Sequence, residues 1–448
     1  MKDDLFSKIK EPIFYVTPDP ARAVGLEKVL SFYHIICLDN SPLVDLLIAK
    51  GVRVFSLEAK IGKENTVLRN TGMILAHPLV QEYIAKNARN LKPNILFFKP
   101  SKKIEAICQR KGWRALGASP ELNQQFEDKV SFYRLCQSLN ISHPPGEIKI
   151  LKRCHYQDLS LRFGQKLVIQ FGHGWAGNTT YFVKNKSDFV HLQAKFPERE
   201  VRITCFIKGR TVLNNACVTG KKIFISPPAL QITALEEFTQ NPGGTCGRQW
   251  PARLKEKIRD KIEEYSQIIG EKMRDLGYKG FFGLDFLVED KTDKVYISEN
   301  NARLTASVPL YTKMELKAGQ TPLLLYHILE YLKKAYPQDD SRKVKEMIGG
   351  ELIMRNNTTA SVRVTGEFPP GIYSYKREHL TYLREGYSLE DISERREFFI
   401  LAASGGRIIT PENEIARLNS LEEILDEEGQ IKSFPKKALL EVKRELIL

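Results

Sequence analysis

Short apolar runs alternate with amphipathic stretches at the start of the chain. Pro12-Ile13-Phe14-Tyr15-Val16, His34 to Leu38, Val52 to Ser56 and Asn94-Ile95-Leu96-Phe97-Phe98 predict strands. Between them, Ala21 to Phe32, Leu43 to Lys50 and 102–111 predict helices. Short buried strands alternating with helices argue for a parallel α/β sheet, and this first unit is expected to end near Gly117.

The pattern then changes. "GASPELNQQFEDKVSFYRLCQSLNISHPPGEI" (117–148) reads as an amphipathic helix with a polar lead-in. Phe132, Leu135, Cys136 and Leu139 make its i, i+3, i+4, i+7 stripe, and His143-Pro144-Pro145-Gly146 stops it. From 166 to 232 strand-like runs dominate (KLVIQF, TTYFV, EVRITCFI, TVLNNACV, KKIFIS). A long helix is expected over 252–276, closed by Gly277. Two strands flanking EDKTDK follow, then a helix over roughly 320–335. The tail, 341–448, shows short strands and one acidic helix near 420–427. The Pro- and Gly-rich stretch 226–250 is long for a loop in a compact domain, which marks Gln231, Arg248 and Trp250 as substrate candidates or as a packed surface loop.

Size and charge narrow the class. A chain of 448 residues with 42% apolar and 27% charged residues is an ordinary globular mixture of several subdomains. No run approaches the roughly 18 apolar residues of a membrane span, and MKDDLFSKIKEP lacks a secretory h-region. Seven scattered cysteines without a C-x-x-C predict reduced thiols in a cytoplasmic protein, with no zinc knuckle. The net charge of +14 is spread out, with only brief clusters such as Lys102-Lys103, Lys221-Lys222 and Lys436-Lys437. Neither a membrane nor nucleic acid is expected as a partner, and the charge suits phosphate-bearing small molecules. A homodimer is the default expectation for a soluble enzyme.

Two stretches carry chemistry. In "QFGHGWAGNTTYFV" (170–183), Gly172, Gly174 and Gly177 satisfy G-x-G-x-x-G, and Asn178 stands where a Walker A loop has its lysine. Both motifs need a helix after the loop, whereas Thr179-Thr180-Tyr181-Phe182-Val183 predicts a strand. A strand–glycine loop–strand flap over a nucleotide fits, as does an ordinary hairpin turn.

The second stretch is "YISENNARLTAS" (296–307). Glu299, Asn301 and Arg303 lie two residues apart, so extended chain turns them to one side. Folding the hairpin near Thr292 sets Asp285 across from Glu299, on the face opposite Phe282, Leu284, Phe286 and Val288. Asp285, Glu299 and Asn301 then form an all-oxygen set suited to Mg²⁺, with Mn²⁺ as an alternative, and lacking the His or Cys that zinc favours. Arg303 either holds phosphate or a developing oxyanion, or pairs with an acid.

These residues resemble the ATP-grasp superfamily over about residues 1–340. The resemblance implies an α/β (α+β) ATP-grasp fold with an N-terminal Rossmann-like pre-ATP-grasp domain (1–116). The ATP-grasp domain follows (117–340, with an N-lid about 125–207 and a C-terminal core about 208–340), and a small β-rich C-terminal domain (341–448) ends the chain. "FEDKVSFYRLCQSLNIS" is similar to the lead-in helix of the lid, implying that Lys129 contacts ATP phosphate. "GFF-GLDF" and "ISENNAR" resemble the metal strands, implying Asp285, Glu299 and Asn301 as Mg²⁺ ligands and Arg303 and Lys129 as catalytic. "TCFIKGR" resembles the hinge, implying that the backbone around Cys205, Phe206 and Ile207 meets adenine.

Departures are specific. Gln170 replaces a lysine common before the glycine loop, leaving Lys166, four residues back, or His173 as substitutes. Gly283 stands where D-alanine-ligase-like members have arginine. "NARLTASVP" lacks the bicarbonate base of biotin-carboxylase-like members. The reading implied is an ATP- and Mg²⁺-dependent ligase that activates a carboxylate as an acylphosphate and joins it to an amine or thiol. The alternatives are a non-catalytic nucleotide-binding module and an ATP-grasp carboxylase or phosphotransferase.

Overall fold

The computed structural model describes residues 6, 9–62, 67–172, 180–336 and 347–447. Five parallel strands open the chain: β1 (Ile13–Thr17), β2 (Tyr33–Cys37), β3 (Val54–Ser56), β4 (Asn94–Phe97) and β5 (Arg114–Leu116), in the order β3-β2-β1-β4-β5. The order reverses between β1 and β4, which places a crevice outside their carboxyl ends. Helices α1 (Pro42–Ala49) and α2 (Lys102–Lys111) fall where the apolar periodicity puts them. Ser101 caps α2, its hydroxyl accepting from Ile104 N–H at 3.3 Å, and Gly112 ends it in the left-handed region at φ 69°. The helix expected over Ala21 to Phe32 is instead one 3₁₀ turn (Pro20–Arg22) followed by irregular turns. Gly25, at φ 146°, takes the backbone out of helical space, and a Cβ there would meet Thr312 Cγ2 at 3.1 Å.

The amphipathic segment after Gly117 forms two helices, α3 (Pro120–Glu127) and α4 (Lys129–Ser138). Asp128, extended at ψ 118°, separates them and caps α4 through Ser131 N–H at 2.7 Å. A four-stranded antiparallel sheet follows: β6 (Gly146–Ile150), β7 (Leu167–Phe171), β8 (Thr180–Val183) and β9 (Glu200–Cys205), ordered β6-β9-β7-β8. One face of this lid is apolar. Leu167, Ile169, Val201 and Ile203 pack there with Leu159 and Phe189 from two helices (Tyr156–Phe163 and Lys186–Lys195) that the sequence reading had not separated from the strands.

Most of the remaining strands build one large sheet, while Val362–Arg363 and Ile408–Ile409 pair apart from it. Its path runs from β15 (Val295–Asn301) to β14 (Gly280–Glu289), β10 (Gly209–Val218), β12 (Ala229–Thr233), β13 (Thr245–Trp250) and β16 (Gly349–Arg355), with β11 (Ile223–Ile225) beside β10. It continues through tail strands Glu414–Ser420, Glu397–Ala402, Gly371–Lys376 and His379–Glu385. The tail thus extends the central sheet. Stretch 226–250, read as a loop, supplies β12 and β13, because β10 and β16 offer them paired edges. Residues 420–427 form no helix. Asp426 instead closes a turn, its Oδ1 accepting from Glu428 and Gln430 N–H, and the helix lies later, at Ser433–Leu446.

The long helix α5 (Glu256–Asp275) turns Ile258, Ile262, Tyr265, Ile269 and Met273 onto Phe282, Leu284, Phe286 and Val288 of β14. Each such burial contributes roughly 1.5–3 kcal/mol. Helices α6 (Val308–Lys317) and α7 (Leu323–Leu332) pack the first sheet against the large one; Phe224 stacks on Tyr326 at 3.9 Å. Among the described residues, no helix is long and apolar enough to cross a membrane.

Candidate active site

The β14–β15 hairpin sets the first contacts. Asp285 pairs with Glu299 and Gly283 with Asn301, and a bulge at Ser298 shifts the register before Phe286 meets Ile297. Phe282, Leu284, Phe286 and Val288 point into the core, so Asp285 turns to the cleft. Asn301 Nδ2 donates to Asp285 Oδ2 at 3.2 Å. Gly283 is small for a local reason: a Cβ there would meet Thr305 Cγ2 at 2.5 Å, so the chain after the hairpin packs on it.

Lys129, only 5% exposed at the first turn of α4, donates to Glu299 Oε1 at 3.0 Å. Its own N–H donates to Gly172 O at 3.1 Å. A Cβ on Gly172 would lie 2.2 Å from Asp128 Oδ2, so this glycine is required by the cap of α4, whatever else it does. Arg303 leaves the hairpin towards the crevice of the first sheet. It donates to Asn301 Oδ1 at 2.8 Å, pairs with Glu127 at 2.8 Å, and lies over the Phe98 ring at 5.0 Å. Lys99 holds the same Glu127 at 2.6 Å. The acid that Arg303 pairs with is thus Glu127, which the sequence reading had not considered.

Charge in the cleft is unevenly balanced. Burial, then the charge of Glu299, pushes the Asp285 carboxyl up to about 7. Burial would raise Glu299 too, but the Lys129 ammonium, with Arg303 and Arg202 behind it, holds it below its ordinary range. Two carboxylates side by side with an amide oxygen are a donor set that a hard divalent cation fits, since such a cation would relieve the repulsion that raises Asp285. Among the described residues no cluster of three or more His, Cys, Asp or Glu could hold a metal, which leaves this mixed set as the candidate.

The lid sheet faces the hairpin with Gln170. Its Oε1 accepts from Arg202 Nη2, and its Nε2 donates to Thr180 Oγ1 at 3.1 Å. Arg202, which sequence reasoning missed, is buried and donates to Ser298 O at 2.9 Å. Its signal was faint: one charge between Val201 and Ile203, whose meaning depends on β9 pairing with β7. Lys166 does not take the place of Gln170. It is exposed, and its carbonyl accepts from Phe206 N–H at the opposite end of β7 from Gly172. His173, Gly174 and Gly177 lie outside the described residues. At the hinge, Cys205 N–H donates to Pro145 O at 2.9 Å, so the amides of Cys205 and Phe206 are engaged within the lid, and Ile207 follows them.

Gln231 and Arg248 are cross-strand neighbours on β12 and β13. Arg248 is buried against Glu351 at 2.9 Å, and Arg417 lies behind that acid at 3.5 Å. Trp250 does not face a substrate. It is 1% exposed, packed on Tyr311, with its indole N–H donating to Pro227 O.

The large sheet thus presents Asp285, Glu299 and Asn301 and the lid sheet presents Gln170 and Arg202 to one another, with Lys129 and Arg303 beside them. Residues 126–307 match the family model of the ATP-grasp domain. A carbamoyl phosphate synthase large chain of Thermoanaerobacter pseudethanolicus is 27% identical over 208 residues, covering 45% of this chain and 18% of that one. The butirosin acyl-carrier protein–L-glutamate ligase of Niallia circulans is 24% identical over 192 residues, covering 42% of this chain and 45% of that one. This chain thus matches about a fifth of the length of the carbamoyl phosphate synthase chains. In fold, a Campylobacter jejuni biotin carboxylase, solved as a β-γ-ATP complex, superposes with TM-score 0.62 at 16% identity, covering 98% of this chain and 91% of that one. An N5-carboxyaminoimidazole synthase of Aspergillus clavatus, with ADP and 5-aminoimidazole ribonucleotide, gives 0.56 at 11% identity, with 94% of each chain covered.

Proposed function

We propose that this protein is an ATP- and Mg²⁺-dependent ligase that activates a carboxylate as an acylphosphate and joins it to an amine, or less readily to a thiol. One observation carries the reading: Asp285, Glu299 and Asn301 converge beside Lys129, opposite a lid sheet. Asp285, Glu299 and Asn301 would hold the metal, which supplies charge neutralisation along the triphosphate. Lys129 leaves Glu299 for the terminal phosphate and steadies the charge spread over its oxygens as the carboxylate attacks. Arg303, fixed by Glu127 and Phe98, faces the crevice at the carboxyl ends of β1 and β4, where the acylphosphate oxygens would lie. The lid covers the site and keeps water from the acylphosphate. The backbone at Cys205, Phe206 and Ile207 lines the adenine end.

The test is release of ADP and phosphate from Mg²⁺-ATP with pooled carboxylates and amines, bicarbonate among the carboxylates because the fold neighbours include a carboxylase. Stimulation by one organic carboxylate and one amine, absent in Glu299→Ala, is the expected result. Stimulation by bicarbonate alone would move the reading to carboxylation. Tight ATP binding with no stimulated turnover would leave a binding module.

A further inference from the structure

The lid carries a second buried cation that the ligase reading leaves unused. Arg202 is 3% exposed. It sits on β9 directly across from Gln170 on β7, and both side chains stand on the face away from Ile169 and Ile203, towards the catalytic hairpin. Its hydrogen-bond partners are neutral: Gln170 Oε1 on the lid and Ser298 O on β15, one residue before Glu299. Its Nε is buried without a hydrogen-bond partner. The strongest opposite charge it feels is Glu299, which Lys129 already holds. Burial lowers its pKa, so the site bears the cost of a desolvated guanidinium with no carboxylate of its own.

Gln170 is arranged to hold that cation. Its amide NH₂ is engaged by Thr180 Oγ1, which turns the carbonyl oxygen to Arg202. The planar guanidinium has one open donor, Nε, and two neutral carbonyl partners, Gln170 Oε1 on Nη2 and Ser298 O on Nη1, so phosphate oxygens can join or replace them as charged acceptors. Counting the Glu127 pair, Lys99, Lys129, Arg202 and Arg303 stand against Glu127, Glu299 and Asp285, four cations to three acids, so the cleft is biased towards a polyanion.

We propose that Arg202 binds the phosphate chain of the nucleotide from the lid side and that Gln170 is its positioning residue. This rests on the ATP reading above and adds a phosphate contact to it. On binding, Nη1 exchanges Ser298 O for a phosphate oxygen, and Nε, which has no hydrogen-bond partner here, takes another.

The experiment is a titration ladder of adenosine, AMP, ADP and ATP, with Mg²⁺, into wild type, Arg202→Gln, Arg202→Lys and Gln170→Ala. Arg202→Gln is expected to weaken ATP and ADP by about tenfold or more while adenosine stays within about twofold. Arg202→Lys should recover part of the loss, and Gln170→Ala should show a smaller loss with the same nucleotide dependence. Equal weakening of adenosine and ATP in Arg202→Lys and Gln170→Ala would mark Arg202 as a strut between lid and hairpin and overturn the proposal. Unchanged ATP affinity in Arg202→Gln would also overturn it. Wild type that binds adenosine and ATP alike would end the ATP reading itself, and this inference with it.

Discussion

At the scale of single residues, three charges of the site are each held by a named neighbour. Glu299 is held by Lys129, Asp285 by Asn301, and Arg303 by Glu127. Lys129→Met should reduce kcat by about 10²–10³ with a smaller change in the affinity for the carboxylate, because the ammonium acts on charge that develops in the transition state. Steady-state kinetics at saturating ATP checks this; a change in KM alone would remove Lys129 from that role. Gly172→Ala places a methyl 2.2 Å from the carboxylate that caps α4. The expected result is a stability loss of about 1 kcal/mol together with reduced turnover, since the cap also positions Lys129. Urea unfolding and ADP release measured on the same variant test both halves. The acid–amide set was legible in the sequence because strand periodicity alone turns Glu299 and Asn301 to one side. Arg202 was not, because its neighbour Gln170 is 32 residues away and only the β7–β9 register brings them together.

At the scale of elements, His327 shows how a helix is fastened to two sheets. Its Nδ1 accepts from Phe281 N–H of β14 at 2.9 Å, and its Nε2 donates to Leu116 O at the end of β5 at 3.0 Å. That geometry needs the neutral ring, and burial lowers its pKa to about 4. The folded value lies below the unfolded 6.5, so the unfolded chain takes up the extra proton between them. Stability is therefore full above about pH 6.5 and falls as pH drops towards 4, by on the order of 3 kcal/mol. The same interval in His327→Gln should show a shallower loss, seen as a smaller change in urea midpoint between pH 7 and 4.5. Gly280, at φ 86°, would bring a Cβ within 2.3 Å of the ring, so this contact also fixes the start of β14. Helix α5 was readable from its stripe, whereas β12 and β13 were not. A five- or six-residue strand in a Pro- and Gly-rich stretch is stabilised by the edges it joins, not by its own pattern.

At the scale of the molecule, one sheet runs from the β14–β15 hairpin through β10 and β13 into the tail, and buried charge marks that join. Arg248 and Arg417 share Glu351 in the interior. Arg248→Ala leaves Glu351 without its closer partner and is expected to cost about 3–5 kcal/mol. Arg248→Met with Glu351→Leu, which removes both charges, should recover much of it; a substrate role would instead appear as lost turnover in a double variant that is stably folded. The proposed binding across two sheets also predicts linkage. Mg²⁺-ATP at 100 times its Kd should stabilise the protein by about 2.7 kcal/mol, visible as a higher Tm. Chelation of the metal should remove most of that gain, and Asp285→Asn should show little gain to begin with.

What the chain settled by itself is what depends on short sequence distance. That covers the alternation of β1 to β5 with helices, the stripe of α5, and the face on which Asp285, Glu299 and Asn301 stand. Each follows from a period of two or 3.6 residues acting over a few neighbours. What only the tertiary structure decided depends on pairing between distant segments: the neighbour of Gln170, the acid beside Arg303, the burial of Trp250, and the passage of the tail into the central sheet. Hydrogen-bond register and packing choose among edges that local propensity leaves equivalent, so these contacts exist only once the sheets have formed.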